Sequence, residues 1–242
     1  MLSSVARAIQ LTPLKKGSIM NILYKFLYLA IAVFSINTSM ADEAKLYEVT
    51  ITNLTRGQII SPVFAFTHNG SETLFTSGEP VSPELAALAQ DADANGLMSL
   101  FSASSATHEI VMGAGGILPG NSETLMIHSN HDMKYISLAA MLVSSNDAFI
   151  AINKLKLPRR SLMITVPAYD AGSEANNESC EYIPGPPCGN ANKAPDDEAE
   201  GFVHIHSGVH GIADLDPAKF DWRNPVAKIS IRRVKDDDDD DD

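Results

Sequence analysis

The apolar residues of this chain are arranged in short runs separated by turn-forming residues, and this pattern strongly constrains the fold. Tyr47–Thr52 alternates polar and apolar side chains with a period of two, as a strand with one buried face does. Further runs of strand length are Val63–Thr67, Glu123–His128, Tyr135–Val143, Ala148–Ile152, Leu162–Val166, Phe202–His206 and Ala227–Arg232. Because their spacing does not alternate regularly with helical patterns, these runs predict an antiparallel sandwich rather than a parallel sheet with crossover helices.

Two short helices are predicted as an insertion between an early strand and Glu109–Met112. Ser82 can cap a helix, Pro83 suits its first position, and Glu84 follows in the first turn. A second, weaker helical segment covers Gly96–Ser104. Residues 42–234 are numerous enough to bury one core. The sequence therefore predicts a mainly β fold, a single antiparallel β-sandwich with one or two short helices inserted between strands.

The first 41 residues differ from the rest because they contain no Asp or Glu. Met20–Lys25 resembles a charged n-region, and Phe26–Ile36 is an apolar run of eleven residues. That run is too short to span a bilayer, which takes about 20 residues. Ser39 and Ala41 supply small residues before a cleavage site. We therefore predict a Sec-type signal peptide at 20–41, cleaved after Ala41, with 1–19 as an upstream extension. The mature protein is expected to be secreted or periplasmic, without a stable membrane span.

The remaining chain is strongly acidic. Residues 1–41 carry four of the 18 lysines and arginines, so their removal changes the formal net charge from −12 to −16, with 14 basic against 30 acidic residues. Residues 235–242 consist of Lys235 and seven aspartates, and such a block predicts a solvated, disordered tail. Because nucleic acids are held through their phosphates, this balance argues against a nucleic-acid partner.

The two cysteines lie close together in a Pro- and Gly-rich segment. Cys180 and Cys188 are the only cysteines of the chain. In an oxidising compartment such a pair most simply forms a disulfide, and its spacing matches no common metal-binding or redox motif. We expect this bond to fix the segment that follows the main acidic loop.

Carboxylates are concentrated in two loops. Asp147 lies in Ser144–Phe149, while Asp170 and Glu174 lie in Pro167–Ser179, which also contains Gly172 and Glu178. Carboxylates four residues apart on a bendable loop suit Ca²⁺, which takes six to eight oxygen ligands in irregular geometry. Acidic residues also fill ordinary solvated turns, so the loops alone leave both interpretations open.

Both loops resemble segments of the spondin N-terminal domain family. Ser145–Phe149 is similar to an Asp-bearing turn of that family, and Tyr169–Glu174 is similar to its Tyr/Trp-Asp-Ala-Gly-Thr-Asp segment. Features typical of bacterial members are Ile51–Thr55, Phe75–Pro80, Glu200–Gly208 and Asp221–Lys228. The resemblance covers roughly residues 46–234.

The resemblance implies a β-sandwich similar to a C2 domain, with one calcium ion in the loops at one end. Matched position by position, its ligands are Asp147, Asp170 and Glu174. Glu174 stands where animal members have Asp, which keeps the charge but lengthens the side chain. Asn146 and Glu178 are candidates for additional ligands or supporting residues.

The resemblance also implies a role. Animal members act in cell adhesion and matrix contact, so it implies a non-enzymatic binding or adhesion function. The expected partner is an extracellular or surface protein or a glycan.

Three histidines suggest an alternative. His204 and His206 lie on one face of a predicted strand, and His210 follows in a turn. Imidazole is a common ligand of zinc and copper, so the alternative is a periplasmic Cu/Zn metalloprotein or a superoxide-dismutase-like enzyme. The other histidines do not follow the pattern of that enzyme family; they are His68, His108, His128 and His131. We favour roles for His204 and His206 in supporting neighbouring loops, including the calcium loop.

Overall fold

The computed structural model describes residues 44–191 and 198–235. The predictions for the upstream extension, the signal peptide and the aspartates after Lys235 lie outside the described residues. Among the residues that are described, no helix is long and apolar enough to cross a membrane.

The described residues form ten strands and three helices. In chain order these are β1 (Lys45–Asn53), β2 (Phe64–His68), α1 (Pro83–Asp91), α2 (Asn95–Ser102), β3 (Thr107–Met112), β4 (Ser122–Ser129), β5 (Tyr135–Met141), β6 (Ala148–Lys156), β7 (Ser161–Val166), β8 (Ala168–Asp170), β9 (His204–Ile205), α3 (Pro217–Phe220) and β10 (Ala227–Arg233).

The strands form two antiparallel sheets, which confirms the predicted β-sandwich. The four-stranded sheet has the order β4-β1-β10-β7, and the six-stranded sheet has the order β3-β2-β5-β6-β8-β9. Within the first sheet, Val49 pairs with Ile231 on one side and with Leu125 on the other, so apolar residues of three strands share the inner face.

The two sheets differ in how they meet solvent. β4 and β7 of the four-stranded sheet alternate between buried or half-buried and exposed residues, as a sheet with one solvated face does. β2 of the six-stranded sheet is buried along its whole length because both of its faces are covered. Ala65 points into the sandwich core, while Phe64 and Phe66 point to a second core on the opposite face.

The two longer helices cover the outer face of the six-stranded sheet. Leu85 and Leu88 of α1 and Phe101 of α2 are buried in the second core, where the rings of Phe66 and Phe101 stack with centroids 4.1 Å apart. The Ser82 side chain accepts a hydrogen bond from Leu85 N at 3.3 Å and caps α1, as the sequence predicted. The inserted helices therefore turn a sheet that would otherwise expose aromatic residues into a central layer.

Two strands near the acidic loop differ from the prediction. The segment after Val166 was expected to be a loop, but Ala168–Asp170 forms β8, which pairs with β6. The run Phe202–His206 forms only the two-residue β9, because the preceding Gly201 and Val203 donate their N–H groups to carbonyls of Gly172 and Glu79 instead of to a strand.

The predicted disulfide between Cys180 and Cys188 is present, with the Cα atoms 4.9 Å apart. The loop that it closes packs on the turn before β6, where Gly185 N donates to Val143 O at 2.8 Å. A Cβ atom on Gly185 would lie 2.3 Å from the Val143 carbonyl oxygen, so only glycine permits this approach.

Candidate metal centre

The pairing of β6 with β8 brings the two acidic loops together. Asp147 directly precedes β6, and Asp170 is the last residue of β8, where it pairs with Ala148. The backbone N–H of Ala171 donates to the Asp147 carbonyl oxygen at 3.2 Å. The two aspartates, distant in sequence, are therefore neighbours at one end of the sandwich.

A buried glutamine fixes the turn that carries Asp147. The Gln58 side chain donates to Ser144 O at 3.0 Å and accepts from Ser144 N at 3.2 Å. Ser145 Oγ donates to Leu142 O at 2.6 Å and accepts from Ala148 N at 3.1 Å. These contacts satisfy the backbone of a buried turn, so the position of the Asp147 carboxylate is defined by the fold.

The carboxylate of Asp147 is completely buried, and its two oxygens have different environments. Oδ2 accepts hydrogen bonds from Ser173 N at 2.7 Å, Ser173 Oγ at 2.9 Å and Glu174 N at 3.0 Å. Oδ1 is buried and has no hydrogen-bond partner among the described residues. An orphaned carboxylate oxygen in the interior is costly unless a cation or proton compensates it.

The carboxylate of Asp170 is also completely buried. Its Oδ1 accepts from Gly172 N at 2.8 Å, and its Oδ2 accepts from Asn176 Nδ2 at 2.6 Å. No lysine or arginine of the described residues forms an ion pair with Asp147 or Asp170. Two histidine nitrogens, those of His204 and His206, each lie 3.7 Å from the Asp170 carboxylate, which is longer than a hydrogen bond.

Glycine at position 172 allows the acidic loop to fold back onto Asp147. Gly172 has φ of 64°, and a Cβ atom there would lie 2.3 Å from Phe202 O. The turn at this residue places the N–H groups of Ser173 and Glu174 on Asp147. Glu174 itself is only 2% exposed, so a third carboxylate is held in the interior at this end.

Burial of these carboxylates makes their ionised forms unfavourable, which is visible in their pKa values. Burial, with the nearby charge of Asp170, raises the pKa of the Asp147 carboxyl to about 7. Burial also raises the pKa of Asp170. Both shifts mean that the protein alone disfavours the ionised forms, whereas a bound cation would favour them.

Asp147, Asp170 and Glu174 offer carboxylate oxygens, the ligand type that calcium takes together with carbonyls and water. Their oxygens do not all lie within 4.8 Å of one another; among the described residues the group that does is Asp170, Glu200 and His204. Oδ1 of Asp147 is the buried carboxylate oxygen without a hydrogen-bond partner that a cation would compensate. We refer to this region, defined by Asp147, Asp170 and Glu174, as the carboxylate end.

Glu178 and Asn146 have other partners. The Glu178 carboxylate accepts from the backbone N–H groups of His210 at 2.5 Å, Gly211 at 2.7 Å and Ile212 at 3.0 Å. Asn146 Oδ1 accepts from Glu178 N at 3.2 Å. Glu178 therefore anchors the loop at 210–212, and Asn146 in turn binds the backbone of Glu178.

The histidines flank Asp170 unequally. His204 Nε2 lies 3.7 Å from Asp170 Oδ1, and His206 Nε2 lies 3.7 Å from Oδ2, so both side chains share a face as predicted. His206 is 6% exposed, its Nδ1 accepts from Gly208 N at 2.9 Å, and its ring packs on Trp222. Burial, with the charges of His204 and His210, lowers the pKa of His206 to about 3. His210 is exposed, and its Nε2 lies 3.1 Å from Ser207 Oγ.

One residue near the site was not among the predicted site residues. Ligand atoms of Asp170, Glu200 and His204 all lie within 4.8 Å of one another. Asn176 Nδ2 donates to both Asp170 Oδ2 and Glu200 Oε1, at 2.6 and 2.9 Å. In the sequence, Glu200 lies four residues before His204, which could have marked it as a second ligand beside that histidine. Nothing in the sequence indicated that Glu200 lies close to Asp170.

A family model described as Spondin_N matches residues 52–182, more than half of the 242-residue chain. The matched range contains Asp147, Asp170 and Glu174 and ends before Glu200, His204 and His206. None of the curated proteins matches the chain.

Proposed function

The chain belongs to the Spondin_N family, and from this premise we propose that it is an exported, non-enzymatic binding module whose loops are held by one calcium ion. Asp147, Asp170 and Glu174 would supply the protein carboxylates. The observation that carries the proposal is the buried Asp147 Oδ1, which has no hydrogen-bond partner among the described residues. A divalent cation would compensate this oxygen and the adjacent Asp170 charge together.

The burial of the site supports a structural role for the ion. Asp147 and Asp170 are both 0% exposed, so neither carboxylate is open to a substrate. The described residues connect the site to two loops: Ser173 and Glu174 bind Asp147, and Glu178 binds the loop at 210–212. A cation at the carboxylate end would therefore order these loops, which are presented at the end of a rigid sandwich, where binding surfaces commonly lie.

An extracellular setting fits the family and the disulfide. The Cys180–Cys188 bond persists in oxidising compartments. We propose adhesion at the cell surface, in the periplasm or outside the cell as the role, with a protein or a glycan as the partner. Ordering of the loops by the ion is what would make that partner surface persistent.

The test is elemental analysis combined with chelation. Protein purified in calcium and then freed of loose ions should retain one calcium per chain, and chelator should lower its melting temperature by several degrees. Asp132→Asn is the matched control, because the Asp132 side chain is 79% exposed and lies outside the site. Asp147→Asn should remove the retained ion while Asp132→Asn keeps it. Retention of no calcium by the unaltered protein would overturn the proposal.

A second candidate is a zinc or copper site, which the clustering of Asp170, Glu200 and His204 favours. His204 Nδ1 lies 3.1 Å from Ile205 O, so donation to that carbonyl would leave Nε2 available as a ligand. This candidate predicts stoichiometric zinc or copper in protein from the periplasm and its loss in His204→Ala. Calcium without either metal would exclude it.

A further inference from the structure

The opposite end of the sandwich carries a concentration of positive charge. β6 begins beside Asp147 and ends at Lys156, nine residues that extend roughly 26 Å at about 3.3 Å per residue. At the Lys156 end, β6 pairs with the start of β5, where Tyr135 lies opposite Lys156. The starts of β1 and β7 and the end of β10 meet at the same end, because Tyr47 pairs with Arg233 and Ser161 pairs with Arg232.

Two adjoining cavities open at this end. One has a volume of about 250 Å³, and its charged lining residues are Lys45, Lys134, Lys156, Arg159 and Arg233. The other, of about 460 Å³, shares Arg159 and Arg233 with the first and adds Arg160, Arg232 and Lys235. We call these eight residues the basic end.

The basic end is positively charged, whereas the chain as a whole is negatively charged. The eight residues are more than half of the 14 lysines and arginines that follow residue 41, and no Asp or Glu lines either cavity. The chain nevertheless has 30 acidic residues, so acids are available but are placed elsewhere. If these charged side chains served solubility alone, positive and negative residues would be interspersed over the surface.

Several of these cations lack a carboxylate partner. Lys45, Lys134, Lys156 and Arg159 form no ion pair with a carboxylate of the described residues. Arg232 is paired with Glu48 at the margin of the patch. Asn130 also lines the first cavity and carries a neutral side-chain amide donor. The lining therefore offers hydrogen-bond donors and positive charge together.

We propose that the basic end is a binding site for a polyanion that carries closely spaced sulfate or phosphate groups. Each such group has several acceptor oxygens, which match the forked donors of Arg159 and Arg160 and the point charge of lysine. The two cavities share Arg159 and Arg233, so neighbouring anionic groups of one ligand would be bound side by side. The ligand is a sulfated or phosphorylated glycan, because successive anionic groups of one flexible chain can enter two adjoining recesses, whereas the headgroups of a bilayer lie in one plane.

The site is independent of the carboxylate end. The two ends lie at opposite ends of β6, and no residue of the basic end contacts Asp147 or Asp170 in the hydrogen bonds and ion pairs described above. Binding of the polyanion therefore does not require calcium. Asp147→Asn protein should bind the polyanion as the unaltered protein does, which separates this inference from the proposed function.

The experiment measures the affinity of the purified protein for two probes. A fluorescent heparin octasaccharide supplies sulfate groups, and vesicles of phosphatidylglycerol and phosphatidylcholine supply phosphate groups, with phosphatidylcholine vesicles as the blank. We expect saturable binding to the octasaccharide, weakened by added salt. Binding to the anionic vesicles without binding to the octasaccharide would overturn the glycan site and indicate a lipid surface.

A charge-matched pair of variants tests the location. Lys134→Gln/Arg159→Gln removes two charges from the basic end, whereas Lys219→Gln/Lys228→Gln removes two charges from residues that line neither cavity. Lys228 lies five residues before Arg233 on β10, about 16 Å away along the strand. We expect the first variant to bind about tenfold more weakly or worse, since charge-assisted hydrogen bonds are lost. The second should stay within about twofold, since distant surface charges are screened. Equal weakening in both variants would show a net-charge effect and overturn the site.

The acidic tail requires one further control. Seven aspartates follow Lys235 in the sequence and carry the opposite charge to the basic end. The titrations are therefore repeated with a full-length chain in which residues 236–242 are asparagine. Failure of both chains to bind the octasaccharide would overturn the proposal.

Discussion

The two ends of β6 handle charge in opposite ways. At the carboxylate end, Asp147 and Asp170 are completely buried and have no lysine or arginine partner among the described residues. At the basic end, Lys134, Lys156 and Arg159 are exposed to solvent. Water stabilises the exposed cations at little cost, whereas buried carboxylates depend on what surrounds them.

Because of this difference, losing a bound ligand should have different consequences at the two ends. Loss of a cation from the carboxylate end leaves like charges in the interior, so the folded state itself is affected. Loss of a ligand from the basic end leaves charges that water solvates. Changes at the carboxylate end should therefore alter stability and ion binding together, while changes at the basic end should alter binding alone.

The largest effect is expected from Gly172→Ala. A Cβ atom at this positive-φ residue would lie 2.3 and 2.6 Å from backbone atoms of Phe202. The loop must move, so we expect a loss of about 3 kcal/mol or more in the free energy of unfolding. Urea denaturation measures it. Gly78→Ala is the control: its φ is also positive, at 87°, but nothing lies within 4 Å, so its cost should be about 1 kcal/mol. Equal costs would mean that the loop is not tightly packed.

The next largest effect is expected for Asp147→Asn, whose stability relative to the unaltered protein should reverse when calcium is removed. In calcium at about 100 times its dissociation constant, the unaltered protein should gain about 2.7 kcal/mol from the ion, a contribution that the variant lacks, so the variant should be the less stable protein. In chelator the order should reverse, because asparagine removes the repulsion with Asp170 that helps raise the pKa of Asp147. Thermal unfolding at pH 8 in both buffers gives the comparison. If the variant is less stable than the unaltered protein in both buffers, the Asp147 carboxylate stabilises the fold even without a bound ion.

The effect of pH should separate the two ends further. The pKa of Asp147 is raised by burial to about 7 from 3.8. Its proton therefore stabilises the ion-free fold below pH 4, and this contribution is lost as pH rises through 7. Calcium must displace that proton, so its affinity should fall by up to about tenfold per pH unit below 7. Polyanion binding should stay nearly constant from about pH 6 to 8, because lysine and arginine remain charged. Isothermal titration at several pH values tests both.

The smallest effect is expected on stability at the basic end. Lys134→Gln/Arg159→Gln should change the free energy of unfolding by less than about 0.5 kcal/mol, because both residues are exposed and form no ion pair with the described residues. Its charge-matched control is Lys219→Gln/Lys228→Gln. A loss of several kcal/mol in the first variant alone would show that the basic end is structural, contrary to the difference drawn between the ends.

The features that could be predicted from the sequence are those that a local pattern of residues determines. Alternation in Tyr47–Thr52 and the cap at Ser82 identified β1 and α1, and the loop motifs identified Asp147 and Asp170 as candidate partners. The three-residue β8 was missed because pairing with β6, rather than its own propensity, makes Ala168–Asp170 a strand.

Other features depend on contacts that no local pattern reveals. Glu178 resembles a ligand in sequence, but the fold directs the backbone N–H groups of Gly211 and Ile212 at its carboxylate. The basic end is dispersed in sequence, from Lys45 to Lys235, and only the meeting of several strand ends gathers it.

Isothermal titration of calcium into ion-free protein at pH 8, alongside Asp147→Asn, tests the central claim most directly. One ion should bind per chain of the unaltered protein, and the variant should give no binding heat while retaining its β-sheet circular dichroism. Calcium binding of equal stoichiometry and affinity in both proteins would contradict the assignment of the buried carboxylates as the site, and absence of binding in both would contradict calcium as the ion.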